Sequence, residues 1–389
     1  MPHATQDIRN IALVGSAGSG KTSLLEALLL QGGAIRSKGS LQRGTTVSDF
    51  DPQEKKLQHS LDTAICSVDC GGAHINLIDT PGYPDFLGRA MSVLSAVESV
   101  AVVVSAVTGV DSVTQRLMDF ARERELCRLV VINKIDGRDA RAGEVLQQLR
   151  ETFGSECLPL NLPARGGGAV VDCFFRPDGE PADFSSVEEA HTRIIDQVVE
   201  VDEALMALYL EQGEELSPEQ LHDPFEKALR EGHLIPVCFA SAETGVGVPE
   251  LLDVFVRLMP NPAEGNPPPF LKGYGRQAQR VTVRPDPEQH VVAHVFKVAI
   301  DPYIGRIGVF RVHQGTIRPG RQLFVGDGRK PFKVAHLYRL MGKDTFEVPQ
   351  AVPGDICAVA KVDEVHFDAV LHDSHDEDHY HLRSIQLPP

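Results

Sequence analysis

Residues 15–22 read Gly-Ser-Ala-Gly-Ser-Gly-Lys-Thr, and this glycine-rich run constrains the fold more than any other part of the 389-residue chain. An apolar segment at residues 8–14 precedes it, and a helical pattern begins at Lys21. Strand, glycine loop and helix in this order are typical of a phosphate loop, in which backbone N–H groups and the helix N-terminus surround phosphates. The run therefore predicts a nucleotide-binding α/β domain in which Lys21 reaches the terminal phosphates and the Thr22 hydroxyl binds Mg²⁺.

Apolar segments alternate with helical patterns over residues 1–157 and again over residues 235–260. Such segments indicate strands buried on both faces, as in a parallel sheet covered by helices. Residues 158–234 interrupt the pattern with 17 acidic against 5 basic residues. We predict that they form an inserted acidic α+β subdomain, with a strand near residues 169–175 and helices from residue 187 onwards.

The second half of the chain changes character after a proline-rich run at residues 259–269. Prolines favour extended spacers, so residues 261–289 are predicted to be a linker. Short apolar segments between Gly/Pro turns then predict an all-β barrel over residues 290–365, and residues 366–389 are predicted to be a further linker. The expected strands are residues 291–299, 307–312, 322–325, 333–340 and 358–362.

Two further motifs follow predicted strands of the α/β domain. Residues 133–136 read Asn-Lys-Ile-Asp, and the Asp136 carboxylate can accept hydrogen bonds from both N1–H and N2–H₂ of guanine, a donor pair that adenine lacks. Residues 79–82 read Asp-Thr-Pro-Gly, which is expected to hold Mg²⁺ through Asp79 and to contact the γ-phosphate through the Gly82 N–H. An ATP-binding phosphate-loop protein is the alternative, and the guanine-specific carboxylate argues against it.

Taken together, these motifs resemble those of translational GTPases, and of elongation factor G most closely. Residues 79–86, DTPGYPDF, are similar to the second switch of that family, DTPGHxDF. The insertion between residues 136 and 241 resembles the family's inserted subdomain, and residues 305–320 look like its second-domain barrel. The family continues into three more domains near where this chain stops, so the chain is expected to be an N-terminal portion.

This resemblance implies GTP binding and hydrolysis at the ribosome, in the elongation or translocation step. A release factor 3-like or ribosome-protection GTPase is an alternative, and so is a ribosome-docking adaptor that hardly hydrolyses GTP. The adaptor is considered because Tyr83 stands where the family has the histidine that orients the attacking water. A phenol with a pKa near ~10 can bind a water but carries no positive charge, so we expect slow hydrolysis.

Other positions also depart from the family. Gly18 replaces an aspartate of the phosphate loop, and residues 57–61, Leu-Gln-His-Ser-Leu, replace the RGITI of the first switch. Ser60 keeps a hydroxyl for Mg²⁺, and His59 is an alternative group for orienting the water. Such changes recur in elongation factor G-like paralogues, which favours that subgroup.

The complete set of expected site residues has three parts. The catalytic group is Lys21, Gly82 and Tyr83, and the Mg²⁺ ligands are Thr22, Ser60 and Asp79. Asn133 is expected to brace the base loop, Lys134 to cover the base, and the Ser241–Ala242 backbone to reach guanine O6. The residues expected to bind GTP or GDP are Gly15, Ser16, Ala17, Gly18, Ser19, Gly20, Lys21, Thr22, Ser23, Asn133, Lys134, Asp136, Ser241 and Ala242.

Composition limits the class of protein and its surroundings. With 42% hydrophobic and 24% charged residues, the chain is neither disordered nor fibrous. It contains no apolar run of roughly 18–20 residues and begins without a secretory pattern, and its seven cysteines lack paired metal spacings, so we expect a cytoplasmic protein without membrane contact. The charged surface fits a monomer.

Charge is distributed unevenly along the chain. Lys and Arg minus Asp and Glu gives −12 over residues 158–234 and +6 over residues 290–362. The resemblance implies that the acidic insertion docks a ribosomal stalk protein, although a solvated acidic face explains it equally well. The basic barrel is expected to contact the backbone of ribosomal RNA. Histidines at 372, 375, 379 and 381 suit a metal ion, but a solvated linker explains them without one.

Overall fold

The computed structural model describes residues 3–177, 179–212, 216, 218–301 and 305–383. Its α-helices are α1 (Lys21–Gln31), α2 (Pro52–Leu57), α3 (Leu87–Val93), α4 (Ser112–Glu123), α5 (Ala142–Phe153), α6 (Val187–Val199), α7 (Glu203–Gln212), α8 (Pro218–Glu231) and α9 (Val248–Arg257). None of these helices is long and apolar enough to cross a membrane.

The strands of the first half are β1 (Ile8–Val14), β2 (Ala64–Cys70), β3 (Ala73–Asp79), β4 (Ser99–Ser105), β5 (Cys127–Asn133), β6 (Cys157–Pro159), β7 (Asn161–Ala164), β8 (Ala169–Asp172) and β9 (Ile235–Ala240). Those of the second half are β10 (Phe270–Lys272), β11 (Gln279–Arg280), β12 (Val292–Asp301), β13 (Gly305–Gln314), β14 (Gln322–Val325), β15 (Phe332–Lys333), β16 (Tyr338–Met341), β17 (Asp344–Glu347), β18 (Ile356–Ala360), β19 (Val370–His372) and β20 (Tyr380–Leu382).

A seven-stranded sheet in the order β2-β3-β1-β4-β5-β9-β6 forms the centre of the first half. All neighbouring strands run parallel except β2 and β3, which are antiparallel. Every residue of β4 is buried, as is every residue of β5 but one, because helices cover both faces. The predicted α/β domain is confirmed. Parallel strands end at one edge, so the loops after β1, β3, β5 and β9 meet there.

The segment between β6 and β9 adds the hairpin β7–β8 and the helices α6 to α8. The strand expected at residues 169–175 is shorter than predicted, because β8 ends at Asp172. The Asp172 carboxylate accepts hydrogen bonds from the N–H groups of Phe174 (2.7 Å) and Phe175 (2.9 Å), which turns the chain. Residues 157–159 form β6 and pair with β9, so the start of the predicted insertion belongs to the main sheet.

Eight antiparallel strands in the order β15-β14-β19-β12-β13-β18-β16-β17 form the predicted barrel. The single strand expected at residues 333–340 is wrong, because β15 ends at Lys333 and β16 begins at Tyr338. Val334 and Leu337 are both fully buried in the barrel core. Residues three apart face opposite sides of a strand, so a continuous strand cannot bury both in one core.

Both segments that were expected to be linkers contain strands. A small sheet in the order β11-β10-β20 joins them, and Phe270, Val283, Val370 and Leu382 share its buried core. In addition, β19 pairs with β12 and β14, so the barrel sheet continues beyond residue 365. Proline content indicated an extended chain but could not reveal partners about a hundred residues away.

A buried ion pair joins the barrel to the seven-stranded sheet. Arg311, on β13, donates to Glu98 Oε1 (2.5 Å) and to the Ala96 carbonyl oxygen (2.7 Å). Glu98 also accepts from Asn10 Nδ2 (3.0 Å), on β1. Arg311 and Glu98 are nearly inaccessible to solvent, so each needs the other to offset the loss of hydration.

A second contact joins the barrel to β2 and to the segment before it. The Gly342 N–H, in the turn between β16 and β17, donates to the Ile65 carbonyl oxygen (2.9 Å). A Cβ atom on Gly342 would overlap the carbonyl oxygen of Val47. The Lys297 ammonium lies 3.1 Å from the Asp62 carboxylate. The barrel therefore touches residues on both sides of α2.

Candidate nucleotide site

The glycine loop lies between the end of β1 and the start of α1. Gly20 precedes α1 at φ +95°, and a Cβ there would overlap the Asn133 side chain. Gly15, at φ +143°, similarly leaves no room for a side chain against the Val103 carbonyl oxygen. These two positions need glycine because side chains rarely adopt such φ values and would collide here.

The side chain of Lys21, the first residue of α1, reaches back to this loop. Its ammonium donates to the carbonyl oxygens of Gly15 (2.8 Å) and Ser16 (2.9 Å). Burial lowers the pKa of Lys21 to about 8, and the negative charge of Asp79 only partly offsets this. A desolvated ammonium held at the glycine loop is suited to attract phosphate oxygens.

Several hydroxyl and carboxyl groups gather beside the loop. Asp79 Oδ2 accepts from the hydroxyls of Thr22 (2.7 Å) and Ser48 (2.9 Å), and Ser60 Oγ lies 3.3 Å from Thr22 Oγ1. The structure thus brings together the three expected Mg²⁺ ligands. Burial raises the pKa of Asp79.

Asp49 is a further acidic group here that the sequence analysis missed. It is 2% exposed, and burial together with the charge of Asp79 raises its pKa to about 6. Both carboxylate oxygens of Asp49 and Oδ1 of Asp79 are buried without a hydrogen-bond partner among the described residues. Buried carboxylate oxygens without partners are costly and suit a hard divalent cation, so this donor set fits Mg²⁺. In the sequence, nothing distinguishes Asp49 from a surface aspartate.

Two glutamates hold the segment that carries these groups. Glu26, buried on α1, accepts from the N–H groups of Gly39 and Val47, both at 2.6 Å, and so positions the loop before Ser48 and Asp49. Glu54, buried on α2, accepts from the N–H groups of Leu61 (2.9 Å), Asp62 (3.2 Å) and Asp51 (3.3 Å).

The segment after β3 lies against the glycine loop. The Gly82 carbonyl oxygen accepts from the Ala17 N–H (2.9 Å), and a Cβ on Gly82 would overlap Lys21 Nζ. The next residue, Tyr83, is 42% exposed. Its ring centroid lies 4.5 Å from that of His59, with the rings tilted by 50°. The two aromatic residues singled out as departures from the family are therefore in contact.

The base loop after β5 is tied to its neighbours by Asn133. The Asn133 side chain donates to the Ser19 carbonyl oxygen (2.9 Å) and accepts from the Ala242 N–H (2.9 Å), while Lys134 Nζ donates to the Gly18 carbonyl oxygen (2.6 Å). Asp136 is exposed beside them. The Ser241 N–H donates to the Val246 carbonyl oxygen (2.8 Å). Both backbone donors proposed for guanine O6 thus have protein acceptors in this structure.

Asp111 also reaches the glycine loop and was missed by the sequence analysis. It caps α4 by accepting from the Thr114 N–H (2.9 Å), and it accepts a short hydrogen bond from the Ser16 hydroxyl. Although partial burial acts the other way, these hydrogen bonds lower the pKa of Asp111. An Asp before a helical pattern signals a cap, but its contact with residue 16 depends on the tertiary fold.

The histidines near the C-terminus do not gather around one point. His372 is fully buried in β19, with its ring nitrogens 2.8 Å from the carbonyl oxygens of Ser374 and Gly326. His375 lies beside Asp378 and His379 beside Asp327. Within the described ranges these histidines form no group able to hold a metal ion.

Comparison with known proteins agrees with this geometry. The family model for the elongation factor Tu GTP binding domain matches residues 6–261, and that for elongation factor G domain 2 matches residues 290–369. The chain belongs to the elongation factor G-like translational GTPases. The barrel of this elongation factor G-like chain is accordingly the second domain of that family, and its α/β domain is of a kind that binds guanine nucleotides.

Named relatives place the chain in the same group. It is 35% identical to an elongation factor G-like protein of Mycobacterium tuberculosis and 30% identical to one of Thermotoga maritima. It is 28% identical to elongation factor G of Mycoplasma pneumoniae. These alignments cover 91–92% of the chain but 53% of each relative, so the chain spans about half the length of these proteins. Their names do not favour the release factor 3-like alternative.

A crystal structure of a protein from Thermus thermophilus has the same architecture. It superimposes with a TM-score of 0.82 at 33% sequence identity. The match covers 99% of this elongation factor G-like chain and 57% of that protein. The described arrangement of the two domains therefore has a solved counterpart.

Proposed function

We propose that this chain binds GTP with Mg²⁺ and hydrolyses it on the ribosome, as the GTPase part of an elongation factor G-like translation factor in the cytoplasm. One observation carries the proposal: the glycine loop, Asp79 and the Asn133–Asp136 loop meet at one sheet edge, tied together by side-chain hydrogen bonds. Such a site can bind phosphates and guanine at once.

In this proposal, the residues of the glycine loop hold the β- and γ-phosphates. When the nucleotide binds, the Lys21 ammonium donates to phosphate oxygens instead of to its two loop carbonyl oxygens. The negative charge of the phosphates then stabilises the ammonium, which burial destabilises. The Gly82 N–H contacts the γ-phosphate, and Asp136 accepts from the guanine N1–H and N2–H₂. Ala242 then shares its N–H between Asn133 and guanine O6.

Thr22, Ser60 and Asp79 would hold Mg²⁺, with Asp49 next to them. When bound, the ion neutralises negative charge that builds up between the β- and γ-phosphates. Thr22 and Ser48 keep the Asp79 carboxylate oriented towards this position. Burial raises the pKa of Asp49 and Asp79, and both must be ionised for this role, so binding of Mg²⁺ is expected to weaken as the pH falls.

We propose that the contact between Tyr83 and His59 replaces the histidine of the family. The Tyr83 hydroxyl orients the attacking water, and the His59 ring, from the first switch, fixes the Tyr83 ring over the γ-phosphate. Positioning a water without supplying charge gives weaker catalysis than a charged group would. Intrinsic hydrolysis is therefore expected to be slow.

Substitution of the two rings tests these roles. Tyr83→Phe keeps the ring contact and removes the hydroxyl, so single-turnover hydrolysis should slow about tenfold or more while GTP affinity is unchanged. His59→Ala should slow it by loss of the ring contact. A Tyr83→Phe variant that hydrolyses GTP at the parent rate would remove the phenol from the mechanism.

The proposed partners follow from charge and family. The acidic insertion would dock a ribosomal stalk protein, and the basic barrel would contact the backbone of ribosomal RNA in a salt-dependent manner. We propose that the protein acts as a monomer. The relatives with which the chain shares these features are about twice its length, so these partners are proposed from the family and from charge alone.

Single-turnover GTP hydrolysis with and without ribosomes, at matched salt, tests the proposed function. Strong stimulation by ribosomes is expected for a working translational GTPase. The exposed tyrosine at the histidine position favours a second candidate, a docking adaptor. Tight GTP binding without any stimulation would support that adaptor and overturn the enzyme assignment.

A further inference from the structure

Three side chains with metal-binding atoms meet at the edge of the seven-stranded sheet. Asp69 Oδ1, at the end of β2, lies 2.6 Å from His74 Nδ1, on β3, and 3.5 Å from His3 Nε2. Each residue can offer one ligand atom, and these atoms all lie within 4.8 Å of one another. His74 is near the start of β3 and Asp79 is its last residue, so about 16 Å of strand separates this cluster from the nucleotide site.

The burial of His74 and its hydrogen bonding suit a metal ligand. Its side chain is 1% exposed, and its Nε2 is buried without a hydrogen-bond partner among the described residues. Burial, and then the positive charge of Arg339, lower the pKa of His74 to about 4, although Asp69 acts in the opposite direction. In the metal-free protein, His74 Nδ1 shares a hydrogen bond with Asp69 Oδ1, so the ion takes the place of the proton between these two atoms, and that proton is released.

We propose that His3, Asp69 and His74 form a binding site for Zn²⁺. Two imidazoles and one carboxylate are ligands that Zn²⁺ accepts, and a water molecule would complete four-coordination. In a tetrahedral zinc site, ligand atoms lie roughly 3.3 Å apart, since each bond is about 2.0 Å long. The separation of His3 Nε2 and Asp69 Oδ1, 3.5 Å, is close to this value. The separation of Asp69 Oδ1 and His74 Nδ1, 2.6 Å, is that of a hydrogen bond, so the exposed Asp69 carboxylate must shift outwards when the ion binds.

The His3 ring must also turn for the ion to bind. The rings of His3 and His74 are stacked, with centroids 4.3 Å apart and planes 15° from parallel. Ligand lone pairs lie in the ring planes, so two parallel rings cannot both direct a lone pair at one ion. His3 precedes β1 and is partly exposed, so it can turn out of the stack, whereas His74 is fixed in the sheet.

A bound ion would fasten the N-terminal segment to the β2–β3 hairpin. The carboxylate of Asp69 would offset the repulsion between the ion and Arg339, which faces the cluster from β16. The charged groups that face the three ligands are Arg339, which interacts with Asp69 and His74, and Asp355, which interacts with His3 and Arg339. Because the site lies at the opposite end of β3 from Asp79, occupancy is independent of the nucleotide.

Titration of the metal-free chain with Zn²⁺, followed by calorimetry, tests the proposal. We expect one ion per chain and at least a tenfold loss of affinity in both His3→Ala and Asp69→Asn. These variants avoid the buried His74, and unchanged GTP binding in each confirms its fold. Titration with Co²⁺ should give the visible absorption of a four-coordinate site in the parent and not in the variants.

The histidines near the C-terminus provide the matched control. A His375→Ala/His379→Ala variant removes two exposed histidines outside the cluster and should bind Zn²⁺ like the parent. Equal affinity in the parent, His3→Ala and Asp69→Asn would overturn the proposal. So would a loss of binding confined to the variant with the two C-terminal substitutions.

Discussion

Asp136 is the residue that we propose selects the base. In the proposed complex its carboxylate accepts from two guanine donors, and hydrogen bonds to a charged group contribute about 1.5–3 kcal/mol each. Asp136→Asn should weaken GTP binding about 100-fold or more and improve binding of xanthosine triphosphate, whose C2 oxygen can accept from the new amide. Equilibrium binding of both nucleotides measures this change. Asp139→Asn, a substitution at another exposed aspartate nearby, is the control and should leave both affinities unchanged.

Asp49 should make the nucleotide-free protein less stable at high pH. Its folded-state pKa, about 6, lies above the usual value of 3.8, so the folded state holds the proton more tightly than the unfolded state does. Stability is therefore lost as the pH rises from about 4 to 6. Asp49→Asn should raise the free energy of unfolding by about 1–3 kcal/mol at pH 8 and leave it unchanged near pH 4.

Denaturant unfolding in the presence of a chelator measures this difference at the two pH values. Asp119→Asn, at an exposed aspartate on α4, should have little effect at either. A variant at Asp49 that is no more stable than the parent at pH 8 would show that its carboxylate is not desolvated. The same variant should bind Mg²⁺ with GTP more weakly, so stability and binding change in opposite directions.

At the scale of elements, α2 and the residues after it depend on Glu54. Glu54→Ala leaves three backbone donors without their acceptor and releases Ser60 from its place near Thr22. Hydrogen–deuterium exchange should become faster over residues 57–63, and Mg²⁺-dependent GTP binding should weaken several-fold. Glu123→Ala, on the exposed face of α4, is the control. Unchanged exchange over residues 57–63 would contradict the anchoring role.

The sequence predicted the elements around the nucleotide site better than those of the barrel. Strands such as β4 and β5 are buried along their length, so a continuous apolar run identifies them. Barrel strands are short and give a weaker signal. The break between Lys333 and Tyr338 depends on which residues face the barrel core, and the sequence does not show this. The sequence analysis missed Asp49 and Asp111 for a related reason, since each becomes part of the site only through folding.

At the scale of the whole molecule, the Arg311–Glu98 pair is expected to join the two domains. Arg311→Ala leaves Glu98 buried without its charge partner, and breaking such a pair costs about 3–5 kcal/mol. Calorimetry should show a lower unfolding temperature and separate transitions for the two domains. Arg318→Ala, at an exposed arginine of the barrel, should preserve the parent profile. A single unshifted transition in Arg311→Ala would contradict this role.

Contacts between distant segments were the part of the architecture that the sequence predicted least. The proline-rich sequence at residues 259–269 predicted a stiff linker. It did not reveal that β10 pairs with β20, or that Arg311 reaches Glu98, because neither pairing leaves a periodic signal. The acidic and basic segments can be counted in the sequence. The interface between the domains depends on a few buried residues that no sequence pattern marks.

The turn at Gly342 places the barrel against the loop that carries Asp49 and against the start of β2. It binds Ile65 and leaves no space beside Val47, two residues before Asp49. Packed interfaces move between discrete arrangements rather than stretching gradually, so a displaced barrel must also displace this loop. In the proposed nucleotide complex, movement of the barrel is therefore expected to change the rate at which GDP is released.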